Sequence, residues 1–437
     1  MRSLLPAAWL AALTLAAPAL ASSQTPPTAL TADEAVREAL ARNLDLQAAR
    51  LSIEIARGRR LQAGRLSNPE LELAYGDDFA FGAEGERTSS VSFSQRFPIT
   101  ARLAREREVA GKEVEIAEAE VRDFVRKLVA EVESAFYTAR ALDERLLVNR
   151  ELVVSVRRVE EATRARLRAA EASPAEVGLL RIESLQLEQE AQRLHRERET
   201  AMAALRRLLG RGSGEALVLG GELAPGPLAT RMALPPAALD GSFRPDLQVA
   251  RKLVERAEAD RSLAQSEVLE DWRIGIGYDR ERAVFDAPVG VERDSFLGLD
   301  LTIPIPLWNR KQGRIAAAGA ALRRSRRARD ALARRIGEEL EAALARLRSL
   351  RASVEVQETK VLPEATRSRD LFERGYRQGL VGVAEILQAQ RQYNEARALH
   401  LELLGELRQA VIELEAAAGT SPLLQEADTP RSFGGTP

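Results

Sequence analysis

The 437-residue chain predicts a mainly α-helical protein with a membrane β-barrel part, built from two copies of one unit: helix, β-hairpin, long helical hairpin. Three observations lead there. A segment recurs in order, the helices are far longer than a globular domain needs, and four short stretches alternate apolar and polar residues with period two.

The recurrence is direct: Asp45-Leu46-Gln47-Ala48-Ala49-Arg50 returns as Asp246-Leu247-Gln248-Val249-Ala250-Arg251. The Phe97-Pro98-Ile99 corner has a counterpart in Ile303-Pro304-Ile305, and the helix-ending Gly210 has one in Gly419. Two repeats are therefore expected, 31–210 and 243–419, with a lead-in over 22–30, a linker over 211–242 and a tail over 420–437. Units of this length are duplicated half-domains rather than solenoid modules.

At the N-terminus, Met1-Arg2, an apolar run from Leu4 to Leu20 and the small-residue Ala19-Leu20-Ala21 read as a secretory signal over 1–21, removed after Ala21. A short anchor is the alternative, and the polar Ser22-Ser23-Gln24 favours cleavage. Beyond it no stretch approaches the ~18 apolar residues of a spanning helix. Any membrane crossing then falls to strands.

The first helix opens on Thr31-Ala32-Asp33-Glu34, whose hydroxyl and carboxylate form a capping box. It is expected to run to about Leu66, where Ser67-Asn68-Pro69 stops it. Two strands follow. Leu71, Leu73 and Tyr75 oppose Glu70, Glu72 and Ala74, and Val91, Phe93 and Phe97 oppose Ser90, Ser92, Ser94 and Arg96.

From Thr100 to Ser173-Pro174 the chain contains no proline, which predicts a helix on the order of 100 Å long at ~1.5 Å per residue. Val114, Val121, Leu128, Ala135, Leu142 and Val156 hold one heptad seam; Val125, Val132, Ala139, Leu146 and Val153 hold the next. A sustained heptad means supercoiled packing against other helices. Asn149 interrupts the first seam and is read chiefly as fixing register. Ser173-Pro174-Ala175-Glu176 then starts a helix that returns to Gly210.

The second repeat follows the same plan. Trp272, Ile274, Ile276 and Tyr278 oppose Arg273, Gly275, Gly277 and Asp279; Leu297, Leu299, Leu301 and Ile303 oppose Gly298, Asp300 and Thr302. Asn309 to about Phe372 should rise, kinked at Pro363, and Val383 to Gly419 should return, with Gly375-Tyr376-Arg377-Gln378-Gly379 near the tip. Pro69, Pro98, Pro304 and Pro306 mark the strand corners, and Trp272, Tyr278 and Phe97 suit an interfacial girdle.

Composition excludes several classes. The chain has no cysteine, hence no disulfide, thiolate metal site or lipidated cysteine. Its 64 basic and 65 acidic residues are interleaved along helices, not gathered into a nucleic-acid surface. His195 and His400 are isolated, so no metal site is expected. No nucleophile with its base, phosphate loop or dinucleotide fingerprint appears, so neither an enzyme nor a cofactor is expected. Four strands cannot close a membrane barrel, since the smallest have about eight. Residue physics requires association and leaves dimer and trimer open.

This order of elements resembles the TolC-like outer-membrane efflux factors over nearly the whole mature chain. Ile303-Pro304-Ile305-Pro306-Leu307-Trp308-Asn309-Arg310-Lys311-Gln312-Gly313 is similar to the strand-to-helix corner of the heavy-metal (cobalt-zinc-cadmium) subgroup. Tyr376-Arg377-Gln378-Gly379 and Glu385-Ile386-Leu387-Gln388-Ala389-Gln390-Arg391 resemble its tip and returning helix, and Asn68-Pro69-Glu70-Leu71 adds a short match. The resemblance implies a homotrimer with a twelve-stranded barrel in outer-membrane lipid and a twelve-helix barrel in the periplasm. It also implies a periplasmic adaptor, an inner-membrane pump, and a collar formed by 211–241 and the tail.

In that setting the chain would conduct its substrate passively. Adaptor contact and gate are expected around Ser173, Glu176, Gly375, Tyr376, Gly379 and Glu385, although capping alone accounts for Ser173 and Glu176. Asp370 and Glu373, tripled by symmetry, are a candidate acidic pore ring. Arg96, Arg273, Asp300 and Thr302 should face the barrel lumen by parity. Organic compounds stand as an alternative substrate class to divalent metal ions. A soluble periplasmic coiled-coil scaffold is the alternative from another class.

Overall fold

The computed structural model describes residues 29–78, 80, 85–223, 244–285 and 290–420. The expected signal segment, most of the lead-in and nearly all of the C-terminal tail lie outside the described residues, as does the linker from 224 to 242.

Helix α1 (Ala32–Arg42) opens on the expected box: Thr31 Oγ1 accepts from the Glu34 N–H at 3.3 Å, and the Thr31 N–H donates to Glu34 Oε2 at 2.8 Å. It does not continue to Leu66. Asn43 breaks it and caps a new helix, α2 (Leu44–Gln62). The buried Asn43 amide accepts from the Leu46 N–H at 2.8 Å and donates to the Leu208 carbonyl at 2.9 Å. A long-range bond thus overrides helical continuity. The α2 helix ends four residues early as well, with Gly64 at φ +67°, where an added Cβ would lie 2.3 Å from the Leu103 carbonyl oxygen.

After β1 (Glu70–Asp77) and β2 (Arg87–Phe97) comes α3 (Arg102–Arg168), 67 residues long, which spans about 100 Å. Of its first heptad seam, Val114, Leu128, Leu142 and Val156 are buried, as are Val132, Ala139 and Leu146 of the second. Asn149 is also buried, and its Oδ1 has no hydrogen-bond partner among the described residues. The returning α4 (Pro174–Leu209) ends at Gly210, in the left-handed region at φ +71°. A Cβ there would meet the Arg42 carbonyl oxygen at 2.6 Å.

The second half begins with α5 (Pro245–Ser266), followed by β3 (Trp272–Phe285), β4 (Gly290–Thr302) and α6 (Gln312–Val356). At the predicted kink, a π-helical turn over Gln357–Val361 precedes α7 (Leu362–Arg377). The wider turn accommodates Pro363, which lacks a donor. Gln357, buried in the bulge, donates to the Ala396 carbonyl of α8 (Val383–Ala418) at 2.8 Å. Helix α8 stops at Gly419, φ +70°.

The recurrence extends to single contacts. Arg244 stands before α5 as Asn43 stands before α2, and its Nη1 reaches the Ala417 carbonyl at 3.4 Å, as Asn43 reaches Leu208. In each half the residue opening the short helix holds the end of the returning helix.

The main core lies where α1, α3, α4, α6 and α8 converge, around Val36, Phe136, Leu205, Ile336 and Leu407. Phe136 and Tyr137 meet edge to face, with centroids 5.2 Å apart. Part of the 211–242 segment joins this core through buried Leu217 and Leu223. Leu30 bridges to it as a parallel partner, donating to the Val218 carbonyl and accepting from the Gly220 N–H, each at 2.8 Å.

The strands form one antiparallel sheet, in the order β1-β2-β3-β4. Among the described residues both edges are open. No helix among the described residues is long and apolar enough to cross a membrane.

Candidate functional site

The features that bear on function sit at the two ends of the long helices. At one end, cross-strand register sorts the sheet into two faces. Leu71 pairs with Phe93, Leu73 with Val91 and Phe93 with Ile276; Ile276 pairs with Leu299 and Tyr278 with Leu297. Directly opposed residues share a face, so these side chains form one apolar surface. It is not covered: Leu73 is 69% exposed, Leu297 75% and Leu299 79%. Apolar surface of this extent, backed by a polar face, is what a wall between lipid and water requires.

On the polar face Arg96 pairs with Arg273, Arg273 with Thr302, and Gly275 with Asp300. The four residues expected by parity to face a lumen are therefore neighbours on one surface. Arg96 is balanced by Glu70 at 3.3 Å, and Arg273 Nη2 donates to Thr302 Oγ1 at 3.4 Å. Gly275 leaves room for Asp300, whose Oδ1 lies 2.1 Å from where a Cβ would be.

Below this face, where strands meet helices, lies a cleft of about 630 Å³ lined by Arg96, Arg102, Asp271, Arg273, Thr302 and Lys311. Arg102 spans Asp271 with contacts of 3.3 and 2.5 Å and also pairs with Glu106. The Asp271 hydrogen bond raises the Arg102 pKa, outweighing partial burial. Complementary charge here ties the start of α3 to the segment leading into β3.

At the opposite end, Ser173 Oγ accepts from the Glu176 N–H at 3.3 Å, and the Ser173 N–H donates to the Glu176 carboxylate at 3.1 Å. In the second hairpin Glu385 accepts from the Gly382 N–H at 2.6 Å. Gly379 takes φ +74°, and the Leu380 N–H returns to the Gly375 carbonyl at 2.9 Å. Gly375 also faces Val381 closely, an added Cβ lying 3.2 Å from its Cγ2. Ser173, Glu176, Gly379 and Glu385 thus shape their own turns.

Tyr376 reaches further. Its buried hydroxyl lies 2.6 Å from Thr163 Oγ1 on α3, and the Arg166 guanidinium stands 5.3 Å from its ring centroid. Thr163 Oγ1 already donates to the Val159 carbonyl at 2.8 Å, so Tyr376 is the donor between them. More links join the two hairpins. Arg391 Nε donates to Glu183 at 2.9 Å, Gln390 to Ser155 Oγ at 3.1 Å and Arg397 to Glu151 at 2.8 Å. Sequence reasoning picked out Tyr376 but missed Thr163, Glu183 and Arg391, whose partners lie more than two hundred residues away.

Asp370 and Glu373 are not bare carboxylates. Arg369 donates to Asp370 at 2.6 Å and Arg377 to Glu373 at 2.5 Å. His400 is packed against the π turn, 3.9 Å from Glu358, and burial depresses its pKa despite that neighbour. No cluster of metal-ligating side chains occurs among the described residues.

A family model for outer membrane efflux proteins matches residues 35–211 and 238–420. The chain belongs to the outer membrane efflux protein family. It is therefore an outer-membrane channel protein and not an enzyme, with its helices extending into the periplasm. The cobalt-zinc-cadmium resistance protein CzcC of Cupriavidus metallidurans is 26% identical over 399 residues, 89% of this chain and 90% of that protein. Among solved structures, CusC superposes with a TM-score of 0.74 at 18% identity, covering 89% of this chain and 92% of CusC. The open-state MtrE channel of Neisseria gonorrhoeae gives 0.71 at 18%, covering 89% and 88%. Both share the mainly helical fold with its small antiparallel sheet.

With the strands assigned to the membrane, a second feature emerges that sequence reasoning left aside. Past Tyr278 the period-two pattern continues in charge, as Asp279-Arg280-Glu281-Arg282, and β4 carries Glu292-Arg293-Asp294. Register places Asp279, Glu281, Glu292 and Asp294 on the polar-face parity and the arginines on the apolar-face parity. The signal was the alternation itself, hidden because both residue types are polar.

Proposed function

We propose that the chain conducts divalent heavy-metal cations passively from the periplasm to the exterior, as the outer-membrane member of a three-part efflux assembly. The observation that carries the channel reading is the exposed apolar sheet face with two open edges. In lipid, unpaired edge groups cost several kcal/mol each, so neighbouring copies must pair them. Three copies supply a twelve-stranded barrel above twelve helices. The periplasmic adaptor and the inner-membrane pump are partners on this reading, and the pump supplies the energy. The segment after Gly210 and the C-terminal tail would form a collar about the helical barrel.

Likeness to the cobalt-zinc-cadmium resistance protein over nine-tenths of both chains supports metal ions as cargo. The acids on the polar face at the hairpin end support it too, because carboxylates concentrate cations at a pore mouth. Arg96, Arg273, Asp300 and Thr302 would line the lumen nearer the helices. Asp370 and Glu373 would contribute a ring at the helical tip, its charge offset by Arg369 and Arg377.

The gate would lie at that tip, opening as the α7/α8 hairpin shifts against α3/α4. Ser173, Glu176, Gly375, Gly379 and Glu385 shape the surface offered to the adaptor, and Tyr376 ties the two hairpins together. Deleting the gene should sensitise its host to cobalt, zinc or cadmium. Unchanged metal tolerance with new sensitivity to organic dyes would assign the channel to organic compounds instead.

A further inference from the structure

We propose that the sheet carries, at its hairpin end, a belt of arginines that binds the phosphate groups of anionic lipids in the outer leaflet. It rests on the closed-barrel reading for the direction in which the apolar face points.

The belt follows from register. Arg87 pairs with Arg282 and Arg282 with Arg293, making three adjacent arginines in one row on the apolar-face parity. Asp77, opposite Arg87, is the only acid in that row among the described residues. One row nearer the helices, Arg280 pairs with Ser89 and Ser295. The next row is apolar, with Tyr278, Val91 and Leu297. At a rise of ~3.3 Å per residue, the arginines begin about 7 Å beyond the apolar band. That is headgroup depth on the side away from the periplasmic helices.

Arg87, Arg280 and Arg293 are exposed. None of the four makes an ion pair with a carboxylate among the described residues, although helical arginines of this chain are widely paired. Arg282 is half-buried, and its Nε has no hydrogen-bond partner among the described residues. The acids in the same segments, Asp279, Glu281, Glu292 and Asp294, occupy the opposite parity, so Asp77 is the one acid among the described residues set in the row of arginines on their own face. A planar guanidinium binds phosphate through two donors, and a lipid phosphate comes with acyl chains that fit the apolar rows below. A free anion has no use for those rows.

The test uses the full mature chain in detergent, analysed by native mass spectrometry with lipid A, phosphatidylglycerol and phosphatidylcholine as probes. The trimer should retain the two anionic lipids in preference to phosphatidylcholine. Replacing Arg87, Arg280, Arg282 and Arg293 by Gln should weaken that retention by about fivefold per arginine removed. Neutralising the opposite face with D279N, E281Q, E292Q and D294N should leave retention intact or strengthen it. Displacement by equimolar inorganic phosphate would assign the site to a free anion and overturn the proposal. A trimer that holds anionic lipid equally well without its four arginines would also overturn the belt. A monomeric mass would instead overturn the closed ring on which it rests.

Discussion

The contact between Tyr376 and Thr163 makes an asymmetric prediction. Thr163 Oγ1 gives its proton to the Val159 carbonyl, so Tyr376 donates to Thr163. In Tyr376→Phe the threonine keeps its backbone bond, and the loss is one ordinary hydrogen bond, about 1 kcal/mol. In Thr163→Val the tyrosine donor is left buried without an acceptor, and the cost rises to ~1–3 kcal/mol. The double variant buries neither orphan, so it should cost less than the two single changes combined. If the contact breaks when the tip opens, each kcal/mol shifts the closed-to-open ratio about fivefold. Open probability in planar bilayers gives the three values, and hydrogen exchange around 160–170 and 370–380 reports the same opening locally. The reasoning fails if Tyr376→Phe opens the channel more than Thr163→Val, or if the double variant is strictly additive.

Other expectations follow from the helices. Gly210→Ala must adopt φ +71° with a Cβ 2.6 Å from the Arg42 carbonyl oxygen, so it should lower the unfolding temperature in detergent, whereas Gly111→Ala, in open space, should not. Phe136→Ala, in the core, should destabilise the chain by about 3–5 kcal/mol, measurable by chemical denaturation. Burial alone would raise the pKa of Asp246, but its hydrogen bond and charge pairing with Arg244 hold it below the ordinary 3.8. Its stabilisation is present above that value and lost as pH falls through the lower folded value. Asp246→Asn should therefore flatten the acid limb of a stability profile below about pH 4. His400 has the opposite charge and the same direction of shift. The folded state disfavours its proton, so stability should fall as pH drops below the ordinary 6.5, and His400→Gln should remove that component.

The parts of this molecule governed by local pattern were legible in its residues. The α3 helix starts two residues after Thr100 and stops short of Ser173-Pro174 because a sustained heptad and that restart specify it. The strand faces follow from parity, and Pro363 announced a perturbed helix. Features set by distant partners were not legible. The division at Asn43 depends on the Leu208 carbonyl, and the hairpin ties depend on Thr163, Glu183 and Arg391. Nothing in Leu-Ala-Arg-Asn-Leu foretells a bond to a residue far along the chain. The arginine belt needed the register, since alternating charge says only that two faces differ, not which lies beside the apolar rows.

The central claim is that several copies close the sheet into a membrane ring continuous with a helical tube. Native mass measurement of the detergent-extracted membrane fraction tests it most directly. The account predicts a particle of three chains, stable in detergent and absent from the soluble fraction. Recovery of the protein without detergent as a single chain would contradict it.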